Sequence, residues 1–385
     1  MLLFIPPDLA EILGDCLVRA AVLESPGIIV MKEFEKTLPR GSILLKVGCA
    51  GICGTDTHTY NKNIPGKQYP HIMGHEISGT IEAISLDCKV NSYDKLSVGD
   101  NVAVTPGVPC KKCYYCKTFP HMANYCPDRS TLGSTFSCKE PPYLLGGFAE
   151  HIIIPAGFWL HKLPENMSLE VGSLAEPLAV AVRAVGRTAA PGIPYAQMGL
   201  GPGTSIVVQG AGPIGMLVAI CAKFSGASVT LLDKISYRLE LAKAFGIKNV
   251  IDVSKIEADT LIETIKEMFN GIGPDAVIEA TGELDAVSVG IKLPRRGGRY
   301  VELGHFVDEG NIQIKPNYLC RNDLEIVGSV LGSPQDYRRV LYILSDRSIP
   351  FEKIITHRFK LEDAEAAILN AKARNGLKSV IIPNM

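Results

Sequence analysis

Five short runs rich in β-branched residues, SIVVQ (205–209), SVTLLD (228–233), NVIDV (249–253), DAVIEA (275–280) and RYVELG (299–304), recur between segments such as IGMLVAICAKFSG and RLELAKAFG that read as helices. Apolar strands alternating with helices predict a parallel sheet covered on both faces. Residues 180–325 are therefore expected to form a doubly wound α/β domain.

Residues 1–179 have a different texture. SILLKVG (42–48), EISGTIEAIS (76–85), DNVAVTP (100–106) and FAEHIIIP (148–155) are strands broken by glycine and proline, the pattern of a β-rich domain rather than of βαβ units. Residues 326–385 hold a helix-like EDAEAAILNAKA (362–373) and a closing strand KSVIIP, too little for a domain. This segment is expected to pack back on the N-terminal part. AAPGIPYAQMGLGPGT (189–204) reads as a turn-rich connection, a contact loop at a cleft or a subunit interface.

The first strand of the α/β region runs into Gly210-Ala211-Gly212-Pro213-Ile214-Gly215, which opens a helix. Gly210 allows the tight turn, Gly212 admits a pyrophosphate to the backbone, and Gly215 lets helix and strand pack closely. The helix N-terminus offers N–H groups and partial positive charge to phosphates. Asp233 ends the next strand, where a carboxylate can take both ribose hydroxyls and repel a 2′-phosphate, which favours NAD over NADP. Arg238 and Lys234 follow it and could flank the adenine or partly accommodate a phosphate. Pro213, Ile214, Thr281 and Leu303, at the same ends of their elements, complete the expected cofactor contacts, and His305 lies where the nicotinamide end should be.

Two cysteine and histidine groupings point to metal. Cys110, Cys113, Cys116 and Cys126 give C-x2-C-x2-C-x9-C, four thiolates that can close a tetrahedral zinc and staple their loop. Clustering of four among eleven cysteines, with no secretion signal, favours metal over disulfides. The second grouping is Cys53, Thr55, Asp56 and His58, with His75 and Glu76. A thiolate, an imidazole and a carboxylate are what an open three-ligand catalytic zinc uses. Thr55 could accept a substrate proton and His58 pass it toward solvent.

The order Cys-Gly-Thr-Asp-x-His, Gly-His-Glu, four-cysteine loop, Ala-Glu-Pro-Leu and GxGxxG resembles the zinc-containing medium-chain dehydrogenase/reductase family, and within it the sorbitol and threonine dehydrogenase branch. The likeness spans residues 18–385. It implies a GroES-like catalytic domain joined to a Rossmann domain, with one catalytic and one structural zinc per chain. It assigns Cys53 and His75 to the catalytic zinc, with Glu176 as the third ligand and Glu76 as a conditional one. Asp56 is similar to the carboxylate that orients the zinc-bound histidine, and Thr55 and His58 match the proton relay. The interval before Cys126 is nine residues where the family has seven, so Cys138 is the alternative fourth ligand.

The expected reaction is oxidation of a secondary alcohol, a polyol, cyclitol or sugar-type alcohol, with hydride passing to NAD. A threonine-type amino-alcohol substrate is the alternative. A zinc-stapled NAD-binding protein without turnover would lack Cys53, His75 or Thr55, and all three are present. Thirty-nine basic against forty acidic side chains leave a net charge of -1, with no field to favour nucleic acid or an anionic membrane. The opening MLLFIPPDLAEILGDCLV is interrupted by Pro6-Pro7 and has no basic n-region, so neither signal peptide nor anchor is expected. A soluble, cytoplasmic homodimer or homotetramer acting on a small-molecule alcohol is the resulting expectation.

Overall fold

The computed structural model describes residues 10–62, 67–120, 123–189, 200–305 and 307–385. The chain divides into two compact units, one of residues 1–176, 333–347 and 351–385, the other of residues 177–332 and 348–350. Most of the 189–204 connection lies outside the described residues.

The first unit is built on a seven-stranded sheet whose order is Trp159–Lys162, Asn101–Thr105, Glu76–Ile84, Ile43–Gly51, Lys378–Ile381 and Ile355–Phe359, with His151–Ile154 also pairing on Ile43–Gly51. The Ile43–Gly51 strand is buried along nearly its whole length, which suits a run of Ile, Leu, Val and Ala. A long hairpin of Ala10–Ser25 and Ile28–Pro39 joins His71–Ile72 in a separate three-stranded sheet. Part of this hairpin falls on the N-terminal extension, for which the sequence offers no reading. Phe148, Ile152, Ile153, Leu45 and Ile77 are fully buried members of one apolar core. The helix Ala364–Lys372 contributes Ala367 and Ile368 to that core.

The second unit holds a six-stranded parallel sheet in the order Asn249–Asp252, Ser228–Asp233, Ser205–Gln209, Ala276–Glu279, Arg299–Glu302 and Glu325–Gly328. All five predicted runs are strands in it. The sixth, Glu325–Gly328, alternates exposed and half-buried positions, as an edge strand does. Its sequence begins with a charge and ends in glycine, so it lacks the apolar run that marks the other five. Among the described residues, no helix is long and apolar enough to cross a membrane.

Candidate active site

Cys53 ends the turn before the helix Gly54–Asn61, and His75 stands directly before the strand Glu76–Ile84. Since Gly51 pairs with Glu76 in the sheet, the two segments meet at one strand end. The sulfur of Cys53, a ring nitrogen of His75 and a carboxylate oxygen of Glu76 lie within 4.8 Å of one another. His75 and Glu76 are 8% and 1% exposed, so this donor set is shielded from bulk water.

Asp56 is buried and its Oδ1 lies 3.7 Å from His75 Nδ1, while its Oδ2 accepts the Cys53 N–H at 2.9 Å. One carboxylate thus steadies both donors. Burial opposes charge on His75, but Asp56 and Cys53 outweigh it and hold the imidazole well above its usual range. The same surplus of negative charge suits a bound dication. Nδ1 of His75, the nitrogen on the Asp56 side, is buried with no hydrogen-bond partner, which leaves Nε2 as the nitrogen free to bind a metal. A thiolate, an imidazole and a carboxylate together fit zinc.

Lys378 is a site residue the sequence reading missed. Its Nζ donates to Glu76 Oε1 at 2.6 Å and to the Ile52 carbonyl at 2.8 Å. Burial works against its charge, and Glu76 and Cys53 overcome it, raising the ammonium above its ordinary value. The available signal was a lysine opening an otherwise apolar closing strand, KSVIIP, where a surface position would be the default.

Glu176 occupies the first turn of the helix Ala175–Gly186. It stands outside the set formed by Cys53, His75 and Glu76, although it faces the same field: burial pushes its carboxyl up to about 7, with His75 drawing it down and Glu76 pushing it up. Glu76 stands in this set because it follows His75 directly and its strand is pinned by its neighbour, while Glu176, the expected third ligand, acts on His75 through its charge. Thr55 and His58 are three residues apart on the helix Gly54–Asn61 and so share a face. Thr55 Oγ1 lies 3.6 Å from Cys53 Sγ. No hydrogen bond joins Thr55 to His58 among the described residues.

The four-cysteine loop closes on itself. Sγ–Sγ separations of 3.4 Å for Cys113–Cys116 and 3.9 Å for both Cys110–Cys116 and Cys113–Cys126 match the edge of about 3.8 Å that a tetrahedron with Zn–S of about 2.3 Å requires. They are far beyond a disulfide bond. Backbone N–H groups of Lys112 and Cys113 help draw the Cys110 thiol down to about 6, while burial and the neighbouring sulfurs push Cys116 up to about 12, so the metal support rests on the tetrahedral spacing. Cys126 belongs to the set, whereas Cys138 sits in the apolar core and its N–H donates to the Pro70 carbonyl. We expect metal analysis to find two zincs per chain, falling to one in Cys116→Ser with turnover at low temperature retained. Loss of both metals in that variant would show that the loop and the reaction centre are not independent.

In the second unit, Gly210 has φ +95°, a region closed to most side chains, and a Cβ on Gly215 would meet the Gly210 carbonyl at 1.8 Å. Gly212 caps the helix Pro213–Phe224, with Pro213 at its start and Ile214 in its first turn. A Cβ at Gly212 would meet nothing nearer than Arg238 Nη1 at 3.8 Å, which leaves this stretch of backbone open to a phosphate. Asp233 accepts the Ala211 N–H at 2.5 Å and the Ile235 N–H at 2.7 Å, tying the glycine turn to the end of the neighbouring strand. Arg238 is buried, at 7% exposure, and Lys234 is exposed. Thr281 follows the fourth strand and Leu303 the fifth, both partly exposed. His305 is placed with Glu279 and Glu302. Asp233→Ala is expected to narrow any preference for NAD over NADP by about tenfold or more, the loss of hydrogen bonds to a charged acceptor being worth roughly 1.5–3 kcal/mol. An unchanged ratio in steady-state kinetics would remove the ribose role of Asp233.

Comparison with known proteins fits both units. Residues 39–165 match the alcohol dehydrogenase GroES-like domain family, and residues 213–346 match the zinc-binding dehydrogenase family. A D-xylulose reductase A of Aspergillus niger is 33% identical over 364 residues, covering 92% of this chain and 94% of the relative. An alcohol dehydrogenase of Thermotoga maritima is similar in structure, with a TM-score of 0.87 and 29% identity over 95% of this chain and 99% of the other. Galactitol-1-phosphate dehydrogenase of Escherichia coli gives 0.78 and 25%, over 95% and 100%.

Proposed function

The chain belongs to the zinc-containing alcohol dehydrogenase family, and from that premise we propose that it oxidises a secondary alcohol of the polyol, cyclitol or sugar type, with NAD as hydride acceptor. The observation that carries the proposal is the grouping of half-buried Cys53 with buried His75 and Glu76 beside a helix that bears Thr55 and His58. Cys53, His75 and Glu76 would hold the catalytic zinc, with Glu176 as the second carboxylate near them. Cys110, Cys113, Cys116 and Cys126 would hold the structural one. When bound, the catalytic zinc supplies a Lewis acid that makes a substrate hydroxyl acidic near neutral pH. NAD supplies the hydride acceptor, and the protein supplies position and electrostatics.

Everything else falls to the chain's own groups. Asp56 fixes the ring of His75, as a carboxylate partner fixes tautomer and direction. Thr55, beside Cys53, takes the proton leaving the substrate hydroxyl. His58, one helical turn on and half-exposed, passes it to water, a transfer its class of side chain performs near neutrality. Lys378 balances the charge of Glu76 inside the protein. Gly210, Gly212 and Gly215 admit the pyrophosphate, and Asp233 takes the adenosine ribose; Thr281 and Leu303 line the far end of the dinucleotide.

The protein is proposed to work in the cytoplasm, where its thiols stay reduced; the four-cysteine loop shows no disulfide. A homodimer or homotetramer is supported by the edge strand Glu325–Gly328, on which Ile326 is 40% exposed, with Val330 close by at 41%. The test of function is a panel of xylitol, sorbitol, inositol, sugar alcohol phosphates and threonine assayed with NAD and NADP. Turnover of at least one polyol with NAD is expected. Turnover of threonine alone, or of nothing, would overturn the assignment.

A further inference from the structure

Three neighbouring strands of the nucleotide-binding unit end in polar side chains at one level. In the parallel register Gln209 stands beside Glu279, and Glu279 beside Glu302. Glu279 is 0% exposed. Its Oε1 accepts the N–H of Thr281 at 2.6 Å and of Gly282 at 3.1 Å, and the Thr281 hydroxyl donates to it as well. Glu302 does the same for the next turn. It accepts the N–H of Gly304 at 3.1 Å and of His305 at 3.3 Å, takes the Tyr300 hydroxyl at 3.2 Å, and meets His305 Nδ1 at 3.0 Å.

The two turns are pressed together over these carboxyls. A Cβ on Gly304 would sit 2.1 Å from Glu279 Oε2 and 2.5 Å from the Gly282 nitrogen. Behind them lies the glycine turn, since a Cβ on Gly210 would come within 3.0 Å of the Ala280 carbonyl. Ligands of open parallel sheets bind beyond the carboxyl ends of the strands, which is where both turns stand.

We propose that Glu279 is held protonated against Glu302, and that this one proton sets how firmly the turns at 281–282 and 304–305 grip the dinucleotide. The proposal rests on the NAD reading above. The carboxylate oxygens of Glu279 and Glu302 lie within 4.8 Å of one another, so with the proton in place Glu279 can donate toward Glu302 and the pair carries one charge. Without it, two anions face each other, one of them fully buried, where repulsion is less screened than in water, and the braced turns separate. Burial and the charge of Glu302 push the Glu279 carboxyl up to about 7, against the pull of the Thr281 donors. The groups facing Glu279 are Glu302 and, at 3.8 Å, His305 Nδ1; Tyr300 reaches it through Glu302, and Gln209 on the other side is uncharged. The donor atoms of Glu279, Glu302 and His305 lie close enough for a metal, but both carboxyls are already occupied by backbone and hydroxyl donors.

The sign follows from a carboxyl raised above its unfolded value. The protonated, gripping form dominates at low pH and is lost as pH rises through about 7. The test is titration of NAD into the zinc-loaded protein from about pH 5.5 to about 8.5, following cofactor binding calorimetrically. The Kd is expected to rise about tenfold across neutrality in the wild type, to be flat in Glu279→Gln and in Glu302→Gln, and to keep its slope in His305→Gln. A flat wild type, a slope surviving in both glutamine variants, or a slope abolished by His305→Gln alone would overturn the proposal. So would a third zinc per chain that Glu279→Gln removes. Absence of NAD binding at every pH would instead bring down the cofactor reading. In that case a protonated-carboxyl infrared band that titrates near neutrality, present in the wild type and missing in Glu279→Gln, decides the proton separately, and its absence from the wild type overturns the proposal.

Discussion

Cys53→Ser is expected to lower turnover by at least about a thousandfold, roughly 4 kcal/mol of barrier, while the Kd for NAD changes little. Serine suits the start of the helix Gly54–Asn61 as well as cysteine does, because a hydroxyl at that position is a good cap. The backbone N–H of residue 53 can still reach Asp56. The fold and the relay helix should therefore survive. What disappears is the thiolate, the softest donor of the group, and a neutral hydroxyl replaces it poorly as a zinc ligand. Stopped-flow measurement of hydride transfer, with zinc content determined on the same sample, separates the two effects. Retained turnover with full zinc would remove Cys53 from the reaction.

The largest expected loss of stability belongs to Lys378→Met. Lys378 is 3% exposed and its ammonium lies on the carboxylate of Glu76 and the carbonyl of Ile52. In the zinc-free protein, breaking this buried pair by removing one partner leaves an uncompensated charge and costs about 3–5 kcal/mol, so the comparison is made after chelation of the metal. Methionine fills most of the same volume, so little of that loss would come from packing. Urea unfolding of the variant should show it, and Lys378→Met combined with Glu76→Gln should recover a large part. If the double variant is no more stable than the single one, the pairing is not the source of the loss.

The sequence yields the nucleotide-binding sheet almost residue by residue, since SIVVQ, SVTLLD and the others carry continuous apolar runs and a parallel sheet demands them. The edge strand Glu325–Gly328 escapes because only part of it is covered, so its pattern is diluted. The thiolate loop is legible because all its donors are local in sequence. Around the other metal group legibility falls with sequence distance. Cys53, Thr55, Asp56 and His58 lie within six residues and can be read together, whereas Lys378 lies more than three hundred residues away and only the pairing of its strand with Gly51 brings it in. The choice between Glu76 and Glu176 has the same origin: which carboxylate stands with His75 depends on a strand end and a helix start that no local pattern relates. Glu279 and Glu302 each close an apolar strand, and their adjacency is a property of strand order that no local pattern carries.

The strand Lys378–Ile381, lying in the sheet between Ile43–Gly51 and Ile355–Phe359, has a consequence for how the protein is made. The unit that holds Cys53 and His75 is written in segments on either side of the nucleotide-binding unit. During synthesis, the inserted unit emerges whole and can fold while the earlier strands still wait for the partner that carries Lys378. Until Lys378–Ile381 has left the ribosome, Glu76 lacks the Lys378 ammonium and the sheet that carries Cys53 and His75 is unfinished. Correct metallation should therefore follow the emergence of that strand.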